Sequence, residues 1–249
     1  MQKNVVSQIA LMVALLAGVA AVLMIFGSSM GLWEPITGFV ASRTYNNVLG
    51  YIVVAVALVS LLVGFMTKTD TPKARGTGKS VVALFIGLGM LSPMLMGLIV
   101  EPVKYPPIHD ITTNTETPPQ FIFLTDSRIG AKNTLVYGGP EIAAQQLQAY
   151  PDIQPIMSEL NTEAAFNKAL DVAKAMGWAI VDQQPQTQRF EATARTPFFN
   201  FADDVVVVVT SVEQGSRIDL RSVSRIGRGD AGVNAKRIKE FSQRFAESL

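Results

Sequence analysis

The residues best suited to chemistry lie between Ser216 and Arg237, in the run SRIDLRSVSRIGRGDAGVNAKR. It carries Arg217, Arg221, Arg225 and Arg228, followed at once by Asp230 and Asn234. Arginine's planar fork matches the oxygens of a carboxylate or phosphate, so such a row suits an anionic group. Side chains alternate along a strand. Arg217, Asp219, Arg221, Val223 and Arg225 would therefore share one face, and Ile218, Leu220, Ser222, Ser224 and Ile226 the other. A helix starts just beyond, and its free N–H groups also favour anions. The candidate binding set is Arg221, Arg225, Arg228, Asp230 and Asn234. Ion pairing competes with it, because Asp219, Glu191 and Asp203 or Asp204 can face these arginines across neighbouring strands. Asp230 is most simply a helix cap. Asn234 falls on an apolar stripe, where a buried amide needs partners and would tie strand ends or the preceding tether into place.

Other groups offer less. Asp203 and Asp204 could hold a divalent ion or do acid–base work, but neighbours in a strand face opposite sides. The better expectation for them is a strand-edge role. His109, the only histidine, precedes Asp110 in a proline-rich stretch without a Gly-x-Ser-x-Gly elbow to serve. No phosphate-loop or dinucleotide fingerprint occurs. There are no cysteines, which removes disulfides, thiolate metal sites and a cysteine nucleophile. No catalytic residue, metal site or cofactor is expected from the sequence. The part after Val100 carries 15 basic and 18 acidic side chains, a poor footprint for nucleic acid.

Elements able to position these groups can be read from Asn161 onward. Asn161 or Thr162 caps a helix with Ala165, Phe166, Ala169, Leu170, Ala173 and Met176 on its apolar face, and Gly177 stops it. Four strands follow, at Trp178–Val181, Arg189–Arg195, Val205–Val212 and Arg217–Ile226, joined by short connections as an antiparallel meander. A last helix from about Ala231 to Ala246 aligns Asn234, Ile238, Phe241 and Phe245. Upstream, Pro140 opens a short helix to Ala149, which Tyr150–Pro151 ends. The fold class is membrane-anchored α+β, with helices flanking an antiparallel four-stranded sheet.

The anchor is legible in three uncharged blocks, about residues 9–30, 48–66 and 81–100. Each has the roughly twenty residues that a ~30 Å hydrocarbon core requires of a helix. The first is longer than the core of a cleaved signal peptide. The stretch between the first two, Gly31 to Asn47, reads as a loop resting on lipid with Trp33 in the interfacial belt. None of the blocks holds an ionisable residue, which points to an anchor or packing bundle rather than an ion pathway. Lys68, Lys73, Arg75 and Lys79 crowd the second loop against Asp70 alone, and Lys3 precedes the first block. Positive loops stay in the cytoplasm. The N-terminus is then cytoplasmic and everything after Val100 lies on the far side, the periplasm of a bacterial inner membrane. The expected division is a membrane part at 1–100, a Pro/Thr-rich tether at 101–120 and a periplasmic α+β domain at 121–249.

A resemblance adds to this. His-Asp-Ile-Thr-Thr at 109–113, Pro-Pro-x-Phe at 118–121, Tyr-Pro-Asp at 150–152 and Met-Gly-Trp at 176–178 recur in order with Asp-Asp-Val-Val-Val at 203–207. With Arg-Ser-x-Ser-Arg-x-Gly-x-x-Asp-x-Gly-x-Asn at 221–234, residues 105–247 resemble the bacterial and plastid family known as domain of unknown function 1499. The resemblance implies one shared structural unit and brings no activity, substrate or catalytic residue.

The resulting expectation is a non-enzymatic module that binds an anionic small molecule or an envelope protein, or supports an envelope assembly, with the lipid bilayer as its constant partner. Two alternatives are a periplasmic hydrolase using Asp203, Asp204, Asp230 or His109, and a structural membrane subunit.

Overall fold

The computed structural model describes residues 5–67 and 76–247. Lys3, Lys68, Asp70, Lys73 and Arg75, which carry most of the orientation reading, lie outside the described residues. The chain divides into two compact units, Met1–Val103 with Phe198–Asn200, and Lys104–Pro197 with Phe201–Leu249.

The first unit is built on three helices, α1 (Val5–Phe26), α2 (Pro35–Met66) and α3 (Thr77–Ile99), each long and apolar enough to cross a membrane. Small residues at helical spacing line their contacts: Ala10, Ala14 and Ala17 in α1, Ala57, Ser60 and Gly64 in α2, and Ser80, Ala83 and Gly87 in α3. Such stripes let backbones approach closely; a Cβ on Gly87 would stand 3.0 Å from the Val54 nitrogen. Polar groups here are paired within the bundle. Ser60 and Ser80 share a 2.7 Å hydrogen bond. Pro93 lacks the N–H that would reach Gly89, and the Ser92 hydroxyl donates to that carbonyl instead at 2.7 Å. Asn46 donates across to the Met90 carbonyl, one residue further on.

The stretch expected to lie as a loop on the membrane is instead largely the first part of α2, which starts at Pro35. The apolar run begins later than the helix does. Proline at the first position favours helix initiation, and nothing between it and the apolar run breaks the hydrogen-bond ladder.

The second unit holds β1 (Asp110–Thr112), α4 (Gly139–Ala149), β2 (Ile156–Ser158), α5 (Thr162–Ala175), β3 (Ala179–Gln184), β4 (Arg189–Arg195), β5 (Ala202–Val212), β6 (Gly215–Ser224) and α6 (Val233–Glu247). The four expected strands form the meander β3–β4–β5–β6, but the sheet has six strands rather than four. Both additions pair antiparallel with the free edge of β6, β2 along residues 216–218 and β1 along 221–223. Three-residue strands are too short to show alternation, and β1 lies in the proline-rich stretch where extended backbone has other causes.

One face of this sheet is apolar and covered by helices. Phe190, Ala192, Val205, Val207, Ile218 and Leu220 meet Phe166, Ala169 and Leu170 of α5 and Ile238, Phe241 and Phe245 of α6. Trp178 stacks on Phe241 with ring centres 5.4 Å apart. The Asn161 side chain accepts from the Ala164 N–H and caps α5, and Gly177 ends it at φ +76°. The other face carries charge, and a long irregular segment covers it.

Candidate functional site

Arg189, Glu191, Thr193, Asp204, Asp219, Arg221 and Arg225 all come from the polar face of β4, β5 and β6 or the residue just past it. Residues 113–137 run across them with no helix or strand of their own. Polar groups removed from water need partners, and the segment supplies them.

Glu191 is fully buried in the middle of β4. Its carboxylate accepts backbone N–H groups from Ile122 at 2.5 Å, Phe123 at 3.2 Å and Leu124 at 2.7 Å, while Arg189 flanks it at 3.2 Å. Asp204, in β5, is equally buried. It receives Arg128 at 2.5 Å, a two-pronged contact from Arg225 at 2.8 and 3.0 Å, and the Thr193 hydroxyl at 2.9 Å. Arg225 also donates to the Ile129 carbonyl, and its own carbonyl accepts from Lys132 and Asn133.

Arg221 is the largest fully buried side chain of the protein among the described residues. It grips Asp110 of β1 in a bidentate pair at 2.7 and 2.9 Å, and donates to the carbonyls of Pro119 and Leu135. The rings of Phe121 and Tyr137 stand 5.5 and 5.3 Å from its guanidinium carbon. Burial, with the Asp110 charge beside it, pushes the Tyr137 phenol up to about 12. Arg217 pairs with Asp219 at 2.8 Å. Within the covering segment, the Leu135 N–H and the Thr134 hydroxyl hold the Asp126 carboxyl below its ordinary range.

The sequence set therefore does not converge. Arg221 and Arg225 face the covering segment, with their forks engaged by carboxylates and carbonyls. Asn234 lies on the opposite face, accepting from Ser222 and Arg237 and donating to Ser224 and the His109 carbonyl. Arg237 continues to Asp203 at 2.6 Å. Asp203 and Asp204 thus serve opposite faces of the sheet, as their adjacency in β5 requires. Asp230 accepts the N–H groups of Gly232 and Asn234 at the start of α6, while burial raises its carboxyl above the ordinary 3.8. Arg228 is exposed in the turn, its carbonyl 3.3 Å from the His109 ring.

The open feature near this region is a groove of about 790 Å³ along α6, walled by Tyr105, Tyr150, Gly232, Lys236, Lys239 and Gln243 among others. Tyr150 is 9% exposed, and its hydroxyl is buried with no hydrogen-bond partner. Sequence reasoning used Tyr150 only as a helix stop. No periodicity marks it, and the groove exists only once α6 and the 105 region come together.

A family model described as protein of unknown function, DUF1499, matches residues 110–245, more than half of the chain. The chain belongs to this family. No curated protein matches it. The DUF1499 region starts at β1 and ends within α6, so it takes in the Asp110–Arg221 clamp, the covering segment and the Asn234 network.

Two expectations follow. Asp204→Ala leaves Arg128 and Arg225 without their shared counter-charge inside the DUF1499 unit, which costs about 3–5 kcal/mol; denaturant unfolding should show that loss, with proteolysis appearing first within 113–137. Asp230→Asn keeps the capping geometry and removes a charge that burial disfavours, so the variant should match or exceed the native chain in stability at neutral pH. Because the folded carboxyl sits above its unfolded value, the native chain should gain relative to the variant as pH falls through the raised value toward 3.8, measurable as converging melting temperatures.

Proposed function

We propose that the protein is an inner-membrane-anchored binding module of the bacterial envelope. Its α+β unit faces the periplasm and holds an anionic ligand or an envelope partner in the groove along α6. The observation that carries the reading is the Tyr150 hydroxyl, a buried donor left without a partner in the wall of an open groove. Buried polar groups are otherwise satisfied in folded proteins, and an exception calls for a functional explanation. Exposed Arg228 and the start of α6 carry the ligand-facing part of the arginine-rich stretch. Arg221 and Arg225 are committed to carboxylates and supply rigidity. The orientation is supported by the surplus of Lys68, Lys73, Arg75 and Lys79 over Asp70 between the second and third apolar blocks.

The absence of cysteine permits a direct test. Gln243, exposed in the groove wall, is replaced as Gln243→Cys and labelled with a membrane-impermeant maleimide. With the outer membrane permeabilised, labelling should proceed in otherwise intact cells, and it should run several-fold slower there than in purified full-length protein. Labelling only after cells are broken would overturn the orientation. Equal rates in cells and in purified protein would overturn the groove as a binding site.

A further inference from the structure

We propose that the groove along α6 receives a phosphate-type anion of low charge, with Lys236 and the Tyr150 hydroxyl as its two donors. This rests on reading the α+β unit as a binding module.

The other groove cations are committed. Lys239 pairs with Asp152 at 2.6 Å, and Arg244 with Glu240 at 2.8 Å one helical turn away. Lys236 is exposed in the groove wall and forms no ion pair among the described residues. Tyr150, nine-tenths buried, contributes a phenol with nothing to donate to. Burial, followed by the nearby Asp230 charge, raises its pKa and keeps it a protonated donor. Both uncommitted groups are therefore donors, and their complement is an acceptor carrying negative charge.

The wall geometry fits such a ligand. Gly232 has φ +78°, and a Cβ there would stand 2.5 Å from the Tyr105 ring and 3.4 Å from the Tyr150 hydroxyl. Glycine thus lets Tyr105 and the phenol close on the same point of the backbone. The Asp230 carboxylate is turned to the Gly232 and Asn234 N–H groups. One uncommitted cation beside Asp230 and Glu240 favours a singly charged group over a polyphosphate, since like charges inside a partly desolvated site are costly. A phosphodiester headgroup and the monoanion of inorganic phosphate share that chemistry. The volume, about 790 Å³, lies within the ~300–1,000 Å³ of small-molecule sites.

The test measures acylation of Lys236 by an amine-reactive reagent, followed by peptide mass spectrometry, on full-length protein in nanodiscs. One arm adds inorganic phosphate to phosphatidylcholine discs, against chloride at equal ionic strength. The other replaces phosphatidylcholine with phosphatidylglycerol. Slowing of Lys236 acylation in the first arm identifies a soluble phosphate, and slowing in the second alone a lipid headgroup; either supports the site. Tyr150→Phe should weaken the protection about threefold to tenfold, the value of one hydrogen bond, while leaving the melting temperature unchanged or raised. Protection unaffected by Tyr150→Phe, or a lowered melting temperature in that variant, overturns the role of the phenol. Lys236 unprotected in both arms overturns the anion. If Gln243→Cys is still shielded in cells in that case, the binding-module reading stands and only the ligand class is wrong.

Discussion

Three buried carboxylates, Asp110, Glu191 and Asp204, set the constraint on which the α+β unit depends. A carboxylate taken out of water is tolerated only with charged or N–H donors around it, and removing its partners costs far more than the pair contributes. The sheet alone cannot supply those donors, because its own N–H groups are spent in the ladder. They come from Arg128 and the backbone of 122–124, together with the arginines of β4 and β6 and Arg225 just past β6. The covering segment is therefore held by charge, and the charged face is kept dry by the segment.

This division explains why the sheet can be polar on one side without facing solvent. The helix side follows ordinary packing, with Phe241 and Trp178 stacked and α5 laid over Phe190. The other side replaces a helical layer with about 25 residues of irregular chain whose position is specified by directional contacts. Arg221 shows the logic most fully. It has a carboxylate, two carbonyls and two ring faces around one guanidinium, so rotating it away would break all of them together. Such networks specify one arrangement more than they add stability.

Much of this was legible in the residues. The Asn161 cap, Gly177, the alternation through 217–225 and the opposed directions of Asp203 and Asp204 are local rules of spacing, and local rules can be read directly. The DUF1499 membership was legible as a chain of short motifs in order. What could not be read was pairing across distance. Arg221 finds Asp110, more than a hundred residues upstream, in place of the acids on neighbouring strands, and Glu191 takes three N–H groups that no side-chain pattern announces. The strands β1 and β2 are defined by the edge of β6 rather than by their own composition. Tyr150 stood out only as a residue before proline, since a missing hydrogen bond is a property of the folded surroundings.

The central claim is that backbone without regular structure is fixed by the buried carboxylate of Glu191. Native-state hydrogen exchange at the amides of Ile122, Phe123 and Leu124 tests it most directly. The account predicts slow exchange at these positions, comparable to β4 itself, and fast exchange at Ile122 and Leu124 in Glu191→Ala. Exchange at the rates of an unprotected loop in the native chain would contradict it.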